Sequence, residues 1–290
     1  MMPLHVTAVE EGAAADLAAY GPWSLHSAFQ RVINLHHPRC PRWLTLCTFA
    51  ARGPGRLHLQ VAPGHGHSLD LGQVHRAEQS GMTFSLSADH TTFTFSIDQR
   101  VRPYPNPPPR GTLTPEGARR ARALLAPPAL DPDANGAVSH VDPSIRPWAT
   151  TLAAALAVPE ARLDRAMQAL IGRGPGLTPA GDDLLLGLLA AAHLTPLLPL
   201  HRRLTTALDA CLQPQRTTPF GHQQLLLARQ GRFFLDLCQV VQHLDLPPDP
   251  TFLQSLDAVR SVGASSGPAI LAGVDIALHT FLRCEHLCKA

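Results

Sequence analysis

Residues 103–109 read Pro-Tyr-Pro-Asn-Pro-Pro-Pro, and the composition of the chain changes on either side of them. Proline has no backbone N–H to donate and fixes φ, so this run favours a stiff, extended connector over a strand or a helix. Residues 103–112 are therefore predicted to link two domains. The length of 290 residues agrees with that prediction, because one hydrophobic core rarely serves so long a chain.

Upstream of the linker, short segments rich in β-branched and aromatic residues alternate with turns of glycine and proline. This pattern predicts a small antiparallel β-sheet or barrel over residues 1–102. A short helix is predicted ahead of its strands, over residues 24–35. The strands themselves are predicted at residues 43–49, 56–61, 82–86 and 91–97.

Downstream of the linker, Ala, Leu and Arg recur at helical spacing, and proline often stands where a helix would begin. Residues 113–290 are predicted to be all-helical, which makes the fold class α+β. The basic cluster of Arg119, Arg120 and Arg122 is predicted to be a solvated face of the first helix. The helices are predicted at residues 114–125, 147–157, 159–171, 179–194, 200–212, 219–228, 233–244, 250–262 and 267–287.

The charge balance of 24 basic and 22 acidic residues, with 45% hydrophobic residues, argues against disorder and against a nucleic-acid-binding field. The first twenty residues lack a basic region followed by an apolar run, so no signal peptide is expected. The apolar stretch Leu184–Leu200 contains two prolines and is interpreted as a buried helix and a turn. A cytoplasmic protein with no membrane or nucleic-acid partner is predicted, and its cysteines are expected to be reduced.

The segment Gly174-Pro175-Gly176-Leu177-Thr178-Pro179-Ala180-Gly181-Asp182-Asp183 joins two predicted helices. Its glycines permit positive φ and close approach to a ligand, and Thr178-Pro179 is typical of an N-cap followed by proline at N1. Free amides and the helix dipole at such a start favour an anion, to which Arg173 would add a positive charge. The segment predicts a site for a phosphate or carboxylate. Its predicted substrate-binding residues are Arg173, Gly174, Gly176, Leu177, Thr178 and Gly181.

Asp182 and Asp183 fall in the first turn of the predicted helix, where acids stabilise the helix dipole. They could instead orient a substrate amide or ammonium group, or hold a Mg²⁺ ion that bridges to phosphate oxygens. Both are predicted as catalytic residues, and Mg²⁺ is the one cofactor considered. Two tight groups of zinc-type ligands stand at residues 65–67 and 284–288. The second is a poor tetrahedral site, because His286 would point away from Cys284 and Cys288 on a helix, and no metal ligand is assigned at either.

Two further helix starts resemble the first in composition. Gly267 and Gly273 repeat the six-residue spacing of Gly181 and Gly187, which fits either close helix packing or two helix starts that converge on one pocket. Polar residues at these starts could line the same pocket, although a plain capping role is the simpler account. The residues concerned are Thr217, Thr218, Ser266 and Gly267.

At these residues the sequence resembles a bacterial family whose named member is the H subunit of oxamate carbamoyltransferase. The decapeptide of residues 174–183 carries most of the resemblance. The segment 29–35 also resembles that family's helix ending in an asparagine, here Asn34, which is added to the predicted substrate-binding residues. Further agreement in order and spacing lies at Thr217-Thr218, Leu225, Leu226, Ala228, Gly263, Ser266-Gly267 and Gly273.

The resemblance implies a subunit of a multi-protein transferase of purine and allantoin breakdown, which interconverts oxalurate plus phosphate with oxamate plus carbamoyl phosphate. The expected partners are a small anionic substrate and other subunits of a complex. Ala180, Gly221 and Ala269 depart from the family pattern, which has two serines and an aspartate there. Whether the chain is itself an enzyme is therefore left open, beside two alternatives: a non-catalytic binding or scaffold subunit, and a metal-dependent hydrolase using the Asp pair.

Overall fold

The computed structural model describes residues 2–48, 53–61, 70–97, 101, 103–125, 138 and 141–283. The chain divides into two compact units, residues 1–106 and 107–290, and the division falls within the proline-rich segment. The first unit is built on a sheet and the second on helices, so the predicted α+β fold class is confirmed. The predicted groups at residues 65–67 and 284–288, the end of the last predicted helix and position 49 lie outside the described residues.

The first unit contains a nine-stranded, nearly closed sheet and one helix, α1 (Glu11–Ala19). The strands are β1 (Met2–Glu10), β2 (Ser24–Phe29), β3 (Val32–His36), β4 (Leu44–Cys47), β5 (Arg56–Val61), β6 (Val74–Ser80), β7 (Thr83–Ala88), β8 (Thr91–Ser96) and β9 (Pro103–Tyr104). Their order is β2-β3-β4-β5-β1-β8-β7-β6, and β9 pairs with β1. Two residues of the predicted linker thus form the last strand.

Most neighbouring strands are antiparallel, whereas β4–β5, β1–β8 and β1–β9 are parallel. The edge strands β2 and β6 approach each other, and the Trp23 N–H donates to Gln79 Oε1 at 3.0 Å. Fully buried side chains such as Ile33, Leu57 and Phe84 fill the core. Burial of these side chains is the main force that holds the sheet together.

The helix predicted over residues 24–35 is wrong, because this segment forms the β2–β3 hairpin. β3 begins with the β-branched pair Val32 and Ile33, whose stiff side chains favour strands, and it is paired on both sides, with β2 and β4. Ile33 and Leu35 are completely buried. Pairing and burial along both edges of β3 therefore outweigh the helical spacing of the apolar residues.

The second unit consists of α-helices around one hydrophobic core. The predicted helical segments are found with shifted ends: the third begins near residue 163 instead of 159, and the fourth ends near residue 191 instead of 194. The helices are α2 (Pro115–Leu125), α3 (Arg146–Leu156), α4 (Leu163–Leu170), α5 (Ala180–Ala191), α6 (Leu198–Cys211), α7 (Pro219–Arg229), α8 (Leu235–Gln242), α9 (Pro250–Arg260) and α10 (Ser266–Arg283).

The prediction of a solvated basic face on α2 is wrong for Arg122. Its side chain is buried, and its Nε lies 2.7 Å from Oδ1 of Asp275 on α10. Arg119 is exposed, as predicted. Apolar spacing shows which face of a helix is buried, but it does not show that a neighbouring helix supplies a carboxylate.

No single helix in the described part of the chain is long and apolar enough to cross a membrane. α5 and the following segment Thr195–Cys211 pass that test of length and composition only as a pair bent by 115°.

Candidate functional site

Helix α5 is buried along its whole length, and glycines allow α10 to pack closely against it. A Cβ atom on Gly187 would lie 1.8 Å from the carbonyl oxygen of Ile270 on α10. A Cβ atom on Gly273 would lie 1.9 Å from the carbonyl oxygen of Leu184 on α5. The helix-packing interpretation of these two glycines is therefore confirmed.

The structure brings the starts of α5, α7 and α10 together around the glycine loop, defined here as residues 172–178. Thr178 Oγ1 lies 3.0 Å from Ser266 Oγ at the start of α10. The hydroxyl of Thr218, before α7, donates to the carbonyl oxygen of Leu177. Thr218 also caps α7 as predicted, because its Oγ1 accepts the N–H of Gly221 at 2.9 Å.

The predicted capping of α5 by Thr178 is wrong. Pro179 is the N-cap of α5 and provides no side-chain hydrogen bond, while the Thr178 hydroxyl faces Ser266. The fixed φ of proline suits the extended backbone of the N-cap position. Because proline has no polar side chain, the helix starts without a side-chain cap. The Thr178 hydroxyl instead forms the contact between the loop and α10.

The glycine loop has a backbone that only glycine adopts easily. Gly172, Gly174 and Gly176 have φ values of 76°, 103° and 98°. A Cβ atom on Gly172 would lie 2.0 Å from the carbonyl oxygen of Arg216, and one on Gly174 would lie 2.9 Å from the amide nitrogen of Ala180. The loop therefore folds back tightly against the start of α5.

Three amides at the start of α5 are already used within the chain, contrary to the predicted free amides. The Gly181 N–H donates to the Arg173 carbonyl at 2.9 Å, and those of Asp182 and Asp183 donate to the Pro179 carbonyl. By contrast, no hydrogen bond among the described residues uses four amides of the exposed loop. These amides, which are the donors left for an anion, belong to Gly174, Gly176, Leu177 and Thr178.

Arg173 is exposed, and its side chain is held against α3 and α4. Its guanidinium carbon lies 4.5 Å from the centre of the Trp148 ring, and its Nε donates to the Ala169 carbonyl at 3.1 Å. A cation–π contact of this kind orients the guanidinium plane over the ring. The positive charge therefore stands beside the loop on the side of α3 and α4.

Asp182 is buried and forms two hydrogen bonds that tie three segments together. Its Oδ1 accepts the N–H of Gly172 at 2.8 Å, and its Oδ2 accepts the hydroxyl of Thr217. Burial raises the pKa of the carboxyl, and the bonds from Thr217 and Gly172 partly oppose that shift. A Cβ atom on Gly221 would lie 2.4 Å from Asp182 Oδ2, so the missing side chain at position 221 leaves room for the Thr217 contact.

Asp183 is equally buried, with 4% of its surface exposed, but its Oδ2 has no hydrogen-bond partner among the described residues. Burial raises its pKa to about 7, and the nearby Asp182 carboxylate adds to the shift. The hydroxyls of Ser266 and Thr178 beside it act in the opposite direction, because a hydroxyl that donates to the carboxylate favours its charged form. Asp183 is therefore a carboxyl group that changes its charge near neutral pH.

The contribution of Asp183 to the stability of the chain is expected to fall as pH rises from about 4 to about 7, because Asp183 takes up a proton on folding in that range. Asp183→Asn removes this titration. The stability of the variant relative to wild type should therefore increase by a few kcal/mol between pH 5 and pH 8, as measured by urea denaturation. Glu160→Gln, which neutralises an exposed acid, should show a constant difference. A constant difference for Asp183→Asn as well would contradict the shifted pKa.

The remaining predicted site residues have structural contacts of their own. Gly181 and Gly267 pack against backbone carbonyls, because Cβ atoms there would lie 2.1 Å from the Leu170 oxygen and 2.3 Å from the Val259 oxygen. Asn34 lies in β3 of the other unit, where its side chain is bonded to Ser27 and Thr45 on the flanking strands. A ligand-binding role for these residues stays a prediction.

Two residues that hold the site together were not among the predicted site residues, although Gly221 was named as a departure from the family pattern. Gly172 supplies the amide that binds Asp182, and Gly221 leaves the space in which Thr217 reaches it. Neither has a local signal, because Gly172 looks like one more loop glycine and Gly221 falls inside a helix. Among the described residues, no three His, Cys, Asp or Glu side chains lie close enough together to hold a metal ion.

Comparison with known proteins finds one family and no individual relative. No curated protein and no solved structure matches the chain. The family model that matches is described as oxamate carbamoyltransferase subunit AllH, and it covers residues 170–278. The match includes the glycine loop, both Asp residues and the starts of α7 and α10, but not the 29–35 segment. Residues 170–278 are thus similar to the AllH family. At the level of the family, this match supports the assignment of the chain as AllH-like, a subunit of oxamate carbamoyltransferase.

Proposed function

We propose that the chain is a substrate-binding subunit of an oxamate-type carbamoyltransferase and that the ligand is a small anion bound at the glycine loop. The observation that carries the proposal is the layered arrangement at the starts of α5 and α10. Free amides lie in the exposed loop, half-buried hydroxyls of Thr178 and Ser266 lie beneath them, and Asp183 is buried below with an unpartnered oxygen. Such convergent polar groups are typical of a small-molecule site.

The site supplies groups that the proposed reaction needs. When phosphate attacks the carbamoyl carbon of oxalurate, a C–O bond forms, the C–N bond breaks and the departing oxamate nitrogen takes a proton. Loop amides are suited to stabilise the negative charge that develops on the carbamoyl oxygen. Asp183, with its pKa of about 7, can hold the proton for that nitrogen near neutral pH. Asp183 is the proposed catalytic residue, and Asp182, whose two oxygens are bonded to Gly172 and Thr217, is proposed to position the loop.

A non-catalytic binding or scaffold subunit is the second candidate, and the glycine contacts favour it. Gly187 and Gly273 are explained by the packing of α5 on α10, and Gly181 and Gly267 by their packing on α4 and α9. Close helix packing would require these glycines even in a scaffold subunit that binds no ligand. A metal-dependent hydrolase is not favoured by the donors present, because both Asp182 oxygens are occupied by protein groups.

Ligand binding is expected to raise the melting temperature of the full chain in the presence of oxamate, oxalurate, phosphate or carbamoyl phosphate. A ligand at 100 times its Kd stabilises the native state by about 2.7 kcal/mol, which corresponds to roughly 5–10 °C for a protein of this size. Differential scanning fluorimetry against a chloride control of equal ionic strength measures the shift. No shift with any of the four anions would favour the scaffold subunit.

A matched pair of variants separates binding at this site from general stabilisation by anions. Asp183→Asn should change the ligand-induced shift, because it alters a group at the proposed site. Glu160→Gln should leave the shift as in wild type, because Glu160 is exposed and lies outside the glycine loop. An equal change in both variants would place the anion elsewhere. Assembly with other subunits and a cytoplasmic location belong to the same proposal.

A further inference from the structure

Asp182 and Asp183 are neighbours in one helical turn, yet their carboxylates are supplied with hydrogen bonds very differently. Asp182 receives the Gly172 amide on one oxygen and the Thr217 hydroxyl on the other. The Asp182 carboxylate therefore has protein partners on both oxygens and fixes the loop relative to α7.

Asp183 has one carboxylate oxygen that accepts no hydrogen bond from the described residues. Ser266 and Thr178 lie against it, but their oxygens are 3.0 Å apart and form a hydrogen bond with each other. Each hydroxyl carries a single proton, so whichever of the two donates, one proton at most is left for the carboxylate. Oδ2 of Asp183 accordingly has no partner among the described residues, and only 4% of the residue is exposed. A buried carboxylate oxygen of this kind calls for a donor from outside the chain.

We propose that Asp183 determines specificity by accepting a hydrogen bond from an N–H group of the ligand, and that Asp182 is a positioning residue. This inference rests on the proposed function, because it concerns the same site. The chemical class it selects is a small carboxylate that also carries a primary amide. A ligand with a carboxylate in place of the amide would present an anionic oxygen to Asp183. The ionised Asp183 carboxylate repels that oxygen and has no proton to donate to it.

Oxamate and oxalate test this inference directly, since they differ by an NH₂ group in place of one oxygen. The wild-type full chain is expected to bind oxamate about 10- to 100-fold more tightly than oxalate at pH 8, as measured by isothermal titration calorimetry. This range corresponds to one hydrogen bond to a charged group. Asp183→Asn should reduce the ratio to about one or invert it, because an asparagine amide can donate to oxalate.

Asp182→Asn is the matched control at the neighbouring position. It should weaken the binding of oxamate and oxalate by the same factor, so their ratio stays at the wild-type value, because Asp182 acts through the loop. Ser266→Ala provides a second route if Asp183→Asn does not fold. Here the ratio should be kept or increased, since the carboxylate loses a competing donor. A ratio that collapses in Ser266→Ala would assign the discrimination to the hydroxyl and overturn the inference.

The outcomes distinguish this inference from the proposed function. If neither oxamate nor oxalate binds, the proposed function itself fails. If both bind with similar Kd and Asp183→Asn leaves the ratio unchanged, the anion site stands and the role of Asp183 is overturned. If Asp182→Asn alone changes the ratio, the two roles are reversed and the inference fails as stated.

Discussion

Gly187→Ala is expected to destabilise the chain by about 3 kcal/mol or more, at the upper end of the range for overpacked cores. The added Cβ would lie 1.8 Å from the carbonyl oxygen of Ile270 and 2.7 Å from its carbonyl carbon. Both are backbone atoms of α10, so no side chain can rotate away, and the two helices must separate. Urea denaturation followed by circular dichroism measures the loss.

Gly176→Ala is the control for this prediction, because it adds a methyl group where no atom lies within 4 Å. Its cost should come from the positive φ of 98° alone, about 1–2 kcal/mol. The difference between the losses of stability in the two variants then measures the cost of moving α5 and α10 apart. Equal losses in the two variants would show that α5 and α10 tolerate a wider spacing, and the proposed site would not depend on their close packing.

The helical unit was predictable because its signals are local. Pro219 and Pro250 each follow a residue that caps the helix, Thr218 and Asp249, and the side-chain oxygens of both accept first-turn amides. The glycine spacing of α5 and α10 likewise appears in the sequence as a repeat. Such features depend on residues only a few positions apart, so a single sequence reveals them.

The sheet was less predictable because its partners are distant. β1 and α1 were missed, although β1 lies in the middle of the sheet between β5 and β8. Glu10, at the junction of β1 and α1, accepts the amide of Ala13 in the helix and that of Gly55 near β5. The second contact spans 45 residues, so the local sequence at the junction does not reveal it. The β2–β3 hairpin was lost for the same reason.

The candidate site was also predictable only where its signals are local. The glycine loop, the Asp pair and the hydroxyls at two further helix starts were identified from their residue types. Which of the two Asp residues has an unpartnered oxygen could not be predicted, because the Asp182 contacts come from Gly172 and Thr217, 10 and 35 positions away. The use of the first-turn amides by Arg173 and Pro179 also depends on how the loop folds back.

The second large effect is expected at the buried ion pair between α2 and α10. The side chains of Arg122 and Asp275 are 9% and 2% exposed, and Nε lies 2.7 Å from Oδ1. Arg122→Met should destabilise the chain by about 3–5 kcal/mol, because it leaves the Asp275 charge in the core without the guanidinium. Methionine keeps much of the side-chain volume, so the loss reports the charge and not a cavity. Urea denaturation at pH 7 gives the value.

The double variant Arg122→Met/Asp275→Asn tests whether the unbalanced charge is the cause. With neither charge of the pair left, it should be more stable than Arg122→Met alone, although it contains one substitution more. Additive losses in the double variant would show instead that apolar packing holds α2 and α10 together, and that the ion pair aligns the two helices without adding net stability.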